Sequence, residues 1–202
     1  RSSDLKYSEY EWQRENMYEY DVHNRAERLE LMLFTCPQCL QLETLVSRGN
    51  DFYCTECNYK TTFTKTGFFE TESDTLYFDN PRDWNKWQIQ KLHEDLDQIS
   101  DPEKVIFDDS DVVLFKGKKI GVPKKIALGR MVLKPDRLLF INERRQTTEF
   151  LIKDMVGCNI QSNRIFEFYI GEDYHRFIFR KNQYSVYKWE LAVHYLKEKI
   201  KE

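Results

Sequence analysis

The chain is 202 residues long, 41% hydrophobic, 15% aromatic and 32% charged, with a formal net charge of −3. Seven glycines and five prolines exclude collagen-like or Gly/Pro-rich disordered material, and the aromatic content is too high for a disordered chain. No apolar run approaches the roughly 20 residues a membrane-spanning helix needs, and the opening Arg1-Ser2-Ser3-Asp4 lacks a secretory signal, so the sequence reads as a soluble piece of a longer protein.

The small net charge hides a division. Residues 1–103 carry a net −10 and residues 104–202 a net +7. This asymmetry predicts an α+β chain of two modules, 1–103 and 104–202, with Asp101-Pro102 near the change of sign.

In chain order, the acidic half opens with a modest helical face over Asp4–Met17, carried by Leu5, Tyr7 or Ser8, Trp12 and Met17. Asn24 to Glu30 reads as a charged helix, and Leu31-Met32-Leu33-Phe34 as a strand. Thr61-Thr62-Phe63-Thr64 is β-branched and aromatic and predicts a further strand. The aromatics of Gly67-Phe68-Phe69 and Thr75-Leu76-Tyr77-Phe78 are expected to cover the faces of a small sheet. Asn80-Pro81 starts a helix, Asn80 as its cap and Pro81 in its first turn. Its apolar band is Trp84, Trp87, Ile89, Leu92, Leu96 and Ile99, opposite an acidic face.

The basic half holds short strand-like runs: Val105–Phe107, Val112–Phe115, Lys125–Leu133, Arg137–Ile141, Thr148–Ile152, Cys158–Gln161, Ile165–Ile170 and Tyr174–Phe179. Asp108-Asp109, Lys116-Gly117 and similar pairs read as turns between them. A closing helix carries Val186, Trp189, Val193, Leu196 and Ile200 inward, with Lys188, Glu190, Lys197 and Glu198 facing water. About seven strands and one amphipathic helix predict an antiparallel module similar in plan to pleckstrin-homology and GRAM domains. Such folds often meet phosphorylated lipids through their first hairpin. Here that stretch runs from Lys116 to Lys125 and holds Lys116, Lys118, Lys119, Lys124 and Lys125, candidates for contact with an anionic membrane surface.

Four of the five cysteines form two pairs, Cys36-Pro37-Gln38-Cys39 and Cys54-Thr55-Glu56-Cys57, separated by fourteen residues. With no export signal a reducing compartment is expected, which disfavours disulfides. Each Cys-x-x-Cys turn aims two thiolates at one point, and a hairpin turning at Arg48-Gly49-Asn50-Asp51 would bring the two turns together. The expectation is a ribbon with one structural zinc ion on Cys36, Cys39, Cys54 and Cys57. Four sulfurs leave no open coordination position, so the metal performs no reaction. Cys158 reads as a small buried residue.

No catalytic constellation is present. None of His23, His93, His175 and His194 opens a His-x-x-x-x-Asp motif, and Gly-x-Ser-x-Gly, phosphate-cradling and His-Glu-x-x-His motifs are missing. Asp108, Asp109 and Asp111 read as turn residues.

Trp12-Gln13-Arg14-Glu15, Asn24-Arg25-Ala26-Glu27, the Cys-Pro-x-Cys and Phe-Tyr-Cys-x-x-Cys knuckles, Tyr59, Gly67-Phe68-Phe69-Glu70 and Trp84-Asn85-Lys86-Trp87-Gln88 together resemble a tail region of some bacterial lysophospholipid acyltransferases of the 1-acyl-glycerol-3-phosphate type. The resemblance covers roughly residues 10–90 and the basic half only loosely. It departs at Asn58, where the family has Gly; Asn tolerates the same left-handed backbone. It implies a non-catalytic C-terminal region whose partner is an upstream acyltransferase domain bearing His-x-x-x-x-Asp, cytoplasmic and peripheral to the inner face of the membrane. The implied role is scaffolding, regulation or membrane positioning. A nucleic-acid-binding ribbon is the alternative from another class, opposed by the −10 charge of that half, which would repel phosphates. A protein–protein adaptor is the third reading.

Overall fold

A computed structural model of the chain describes residues 9–72, 75–181 and 184–201. Among these, three α-helices and eleven strands form an α+β arrangement of two antiparallel sheets. The chain divides into two compact units between Trp87 and Gln88, inside the second helix. Among the described residues no helix is long and apolar enough to cross a membrane.

The first unit opens with α1 (Glu9–Asn16); Leu5, Tyr7 and Ser8, which the helical reading used, lie outside the described residues. The α1 helix is held from its polar side. Gln13 is buried and donates from Nε2 to the carbonyls of Tyr18 and Thr66, while Arg14 pairs with Asp79 at 2.7 Å. A four-stranded sheet follows in sequence order: β1 (Leu45–Arg48), β2 (Asp51–Cys54), β3 (Lys60–Phe63) and β4 (Phe69–Glu70). The β1–β2 hairpin turns on Gly49 and Asn50. Gly49 takes φ +64°, the left-handed backbone a two-residue hairpin loop demands. The Thr61 run forms a strand as expected, β3, and pairs with β2, but β4 carries no alternating run long enough to show in the sequence.

Two expectations fail here. Asn24–Glu30 forms turns and a single 3-10 turn at Leu29–Leu31, not a helix, and Leu31–Phe34 is not a strand. Arg28 adopts φ +69°, which breaks any helix, and Leu33 and Phe34 are drawn wholly into the core, so burial rather than sheet pairing fixes this segment. Only Thr35 forms an isolated bridge, to Leu42.

The helix α2 (Pro81–Asp97) starts as read: Asp83 N–H donates to Asn80 Oδ1 at 2.9 Å. Trp84 is the centre of the first unit's core. Its ring lies 5.3 Å from Phe52, 5.5 Å from Phe69 and 5.9 Å from both Tyr59 and Phe78, and its Nε1 donates to the Thr35 carbonyl at 3.0 Å.

The second unit is a seven-stranded sheet curled into a half-barrel. Its strands are β5 (Phe107–Lys118), β6 (Lys124–Leu133), β7 (Arg137–Asn142), β8 (Thr147–Leu151), β9 (Val156–Gln161), β10 (Ile165–Ile170) and β11 (Asp173–Phe179), in spatial order β8-β7-β6-β5-β11-β10-β9. The curl has local causes. The β5–β6 register shifts across Asp111, which takes φ +61°, and shifts again at Leu114/Phe115. Gly129 faces β7 so closely that a Cβ there would meet the Ile141 carbonyl oxygen at 2.2 Å. The closing helix α3 (Val186–Lys199) packs on β9, β10 and the 3-10 turn Ile152–Asp154. Inside lie Phe140, Phe150, Phe166, Phe168, Phe177, Phe179 and Trp189, all buried.

Three sequence readings are corrected in this unit. Asp108-Asp109 and Lys116-Gly117 are not turns but lie within the twelve-residue β5. Lys188 does not face water: it is buried, with Nζ 3.1 and 3.0 Å from the two carboxylate oxygens of buried Asp109. Trp189 Nε1 donates to the same carboxylate at 2.7 Å, which is why an acidic pair can sit mid-strand. Ile200 follows the end of α3 and is exposed.

Candidate metal centre

The four paired cysteines converge. Their sulfurs all lie within 4.8 Å of one another, with Cys36 Sγ to Cys57 Sγ at 3.5 Å and Cys39 Sγ to Cys54 Sγ at 3.8 Å. None is in a disulfide. The group could bind a metal ion.

Two turns of one design build the cluster. In each, the N–H of the first cysteine donates to the carbonyl five residues on, Cys36 to Gln41 at 3.0 Å and Cys54 to Tyr59 at 2.8 Å. In each, the residue after the second cysteine, Leu40 or Asn58, adopts φ +62°. That backbone folds the chain back so that both thiols point the same way. Asn58 is legible in the sequence as a left-handed residue. Leu40 is not, because a bulky side chain seldom takes this conformation.

The centre is tied to the core rather than hung on a loop. Cys36 and Cys54 are buried beside Phe52, Tyr59 and Trp84, while Cys39 and Cys57 are half-buried. Gln38 Nε2 donates to the Cys57 carbonyl at 3.0 Å and joins the two turns. Thr44 lies beside the second turn, its hydroxyl hydrogen-bonded to Cys54 Sγ at 3.2 Å and its carbonyl accepting the Thr55 N–H at 2.8 Å.

Electrostatics separate the thiols. Burial pushes the Cys36 and Cys57 thiols up. Burial also acts on Cys54, but hydrogen bonds from the Thr44 hydroxyl and the Glu56 and Cys57 N–H groups outweigh it and bring that thiol to about 7. Metal capture by the cluster would release the thiol protons.

The other candidates stand elsewhere. Cys158 is half-buried on β9, apart from the cluster, its thiol raised by burial to about 11. The lysines occupy the two arms and the tip of the β5–β6 hairpin. Lys116 and Lys118 pair with Asp173 on the neighbouring strand at 2.7 and 2.6 Å and hold that carboxyl at about 2. The structure also brings together groups no motif announced. Buried Glu167 accepts from Gln161 Nε2 at 2.7 Å, from Arg176 Nε at 3.0 Å and from the Tyr174 hydroxyl. These strand residues form no recognised motif, and the β9-β10-β11 register assembles them.

No protein-family model matches the chain, and no curated protein matches it significantly.

Proposed function

We propose that the chain is a zinc-organised, non-catalytic accessory region of a membrane-associated lysophospholipid acyltransferase of the 1-acyl-glycerol-3-phosphate type, which scaffolds the enzyme and positions it at the inner face of the membrane. The thiol cluster is the observation that carries this reading. A tetrahedral zinc site with Zn–S bonds of about 2.3 Å has sulfur–sulfur edges of about 3.8 Å, and the two pairs here stand 3.5 and 3.8 Å apart. Cys36, Cys39, Cys54 and Cys57 would hold the ion. Bound there it supplies a cross-link between two stretches of chain and no reactive site, because four sulfurs fill its coordination.

The rest of the reading draws on the second unit and on sequence. A curled antiparallel sheet with a C-terminal helix supports a pleckstrin-homology or GRAM-like module. The knuckles and the Trp84–Gln88 run support the acyltransferase family, whose His-x-x-x-x-Asp site belongs to an upstream domain of the same protein.

Metal analysis of the purified chain tests the first part: one zinc per chain is expected, together with a thiolate charge-transfer band on cobalt substitution that Cys54→Ser weakens. A metal-free chain under reducing conditions would overturn the zinc assignment. The coding sequence immediately before Arg1 tests the second part, and a frame there without a His-x-x-x-x-Asp block would overturn the acyltransferase assignment while leaving the ribbon.

A further inference from the structure

The β5–β6 hairpin ends in Lys119-Ile120-Gly121-Val122-Pro123. Two of these residues are large, apolar and unsupported: Ile120 is 93% exposed and Val122 89%. Ile126 adds a third exposed apolar side chain on the returning arm. An isolated surface aliphatic is ordinary, but two at the extreme tip of a closed hairpin put apolar area where the fold gives it nothing to cover. The tip is defined rather than loose. Pro123 sits against Gly117, where a Cβ would meet Pro123 Cα at 3.1 Å, and Lys119 N–H donates to the Glu172 carbonyl at 3.1 Å.

The charges around the tip say what could cover it. Asp173 engages Lys116 and Lys118, further down the arm. Lys119, Lys124 and Lys125 flank the apolar residues and are exposed, with no ion-pair partner among the described residues. An apolar point collared by uncommitted cations matches a surface that is hydrocarbon inside and negative outside, an anionic bilayer.

We infer that Ile120 and Val122 form a wedge that enters the acyl region of an anionic bilayer while Lys119, Lys124 and Lys125 engage lipid phosphates. This deepens the membrane-positioning part of the proposed function and rests on it. It differs from headgroup recognition by lysines alone, since the apolar tip adds a share of the binding that depends on hydrocarbon rather than on charge. It is independent of the zinc assignment.

The test is sedimentation of the full metal-loaded chain with phosphatidylcholine vesicles, with and without phosphatidylglycerol. The wild type should bind the mixed vesicles and bind the neutral ones far more weakly. The I120S/V122S double variant should lower the partition coefficient on the order of 50-fold. Each of Lys119→Gln, Lys124→Gln and Lys125→Gln should lower it about 5-fold, the equivalent of about 1 kcal/mol. All these positions are exposed, and an unchanged near-ultraviolet spectrum would show that the variants fold. Undiminished binding by I120S/V122S, with loss in the lysine variants, would overturn the wedge and leave membrane positioning standing. A wild type that binds neither vesicle would overturn both. Concentration-dependent dimerisation abolished by I120S/V122S, without vesicle binding, would assign the tip to a second copy of the chain and likewise overturn the wedge.

Discussion

The two units solve the same problem with different means. The first has four short strands, none longer than four residues, and a core gathered around Trp84. The second has a central twelve-residue strand, a seven-stranded sheet and a continuous aromatic interior. A small sheet buries too little apolar surface to offset the entropy of ordering its loops, so cross-linking by a metal is the usual supplement. A large curled sheet needs no such supplement and can accommodate a buried ion pair within its core. With a metal bound, the four-cysteine cluster and the Asp109–Lys188 pair would therefore be opposites: one a source of stability, the other tolerated by stability from elsewhere.

The most damaging way to break this contrast is metal removal. Structural zinc sites carry on the order of 10 kcal/mol at neutral pH. A strong chelator at pH 7 should therefore unfold the ribbon, seen as rapid proteolysis between residues 30 and 70, while cuts within residues 107–179 stay slow. Equal resistance of both stretches after verified metal loss would end the contrast.

Next in size is Asp109→Ala. It leaves the Lys188 ammonium buried without its carboxylate, and Trp189 Nε1 without an acceptor. A loss of about 3–5 kcal/mol is expected. The D109L/K188M pair should recover most of it, because removing both charges also removes their desolvation cost. Denaturant titration of the two variants measures the difference, and a double variant as unstable as the single one would show that the pair is itself a net source of stability.

A smaller effect belongs to pH. His175 is packed between Phe150 at 4.9 Å and Phe168 at 5.5 Å, and burial, with the nearby Lys116 ammonium adding to it and Asp173 opposing, lowers it from 6.5 to about 4. The unfolded chain takes up a proton as pH falls below 6.5 and the folded chain does not until about 4, so stability present above 6.5 is eroded across that window. Asp173, held at about 2, adds its own loss only below the ordinary carboxylate range. The His175→Phe variant should flatten the denaturation midpoint between pH 6.5 and 4 and leave the steeper fall below that window. An unchanged slope in that window would assign it to other groups.

What the sequence discloses follows from how local each feature is. The two Cys-x-x-Cys turns, the Gly49-Asn50 hairpin, the Asn80 cap and most strands are set by residues within a few positions of one another, and all are found in the structure. Lys188 and Asp109 escape such reasoning because they are seventy-nine positions apart. Helical spacing places Lys188 on the wet face, and nothing near it announces a buried carboxylate. Leu31–Phe34 resembles a strand because aliphatic runs look alike whether they pair in a sheet or fill a core. Ile120 and Val122 do not stand out between the lysines, since exposure is a property of the fold and not of the residue.

The smallest predicted effect is also the most local. Leu40 and Asn58 occupy equivalent places after the two knuckles and share φ +62°. Asn is at home in that conformation, whereas for Leu it costs about 1 kcal/mol or more. Leu40 is 50% exposed, so its side chain returns only part of that through burial. Leu40→Gly should leave the metal-loaded protein as stable or slightly more so, by about 0.5 kcal/mol, the relief of strain exceeding the entropy glycine adds to the unfolded chain. Leu40→Val, with a branched Cβ in the same backbone, should cost about 1 kcal/mol. Thermal denaturation of the two variants separates the causes. If side-chain burial governed this position, both would be destabilised and glycine, having no side chain to bury, would be the worse; if backbone strain governs it, valine is.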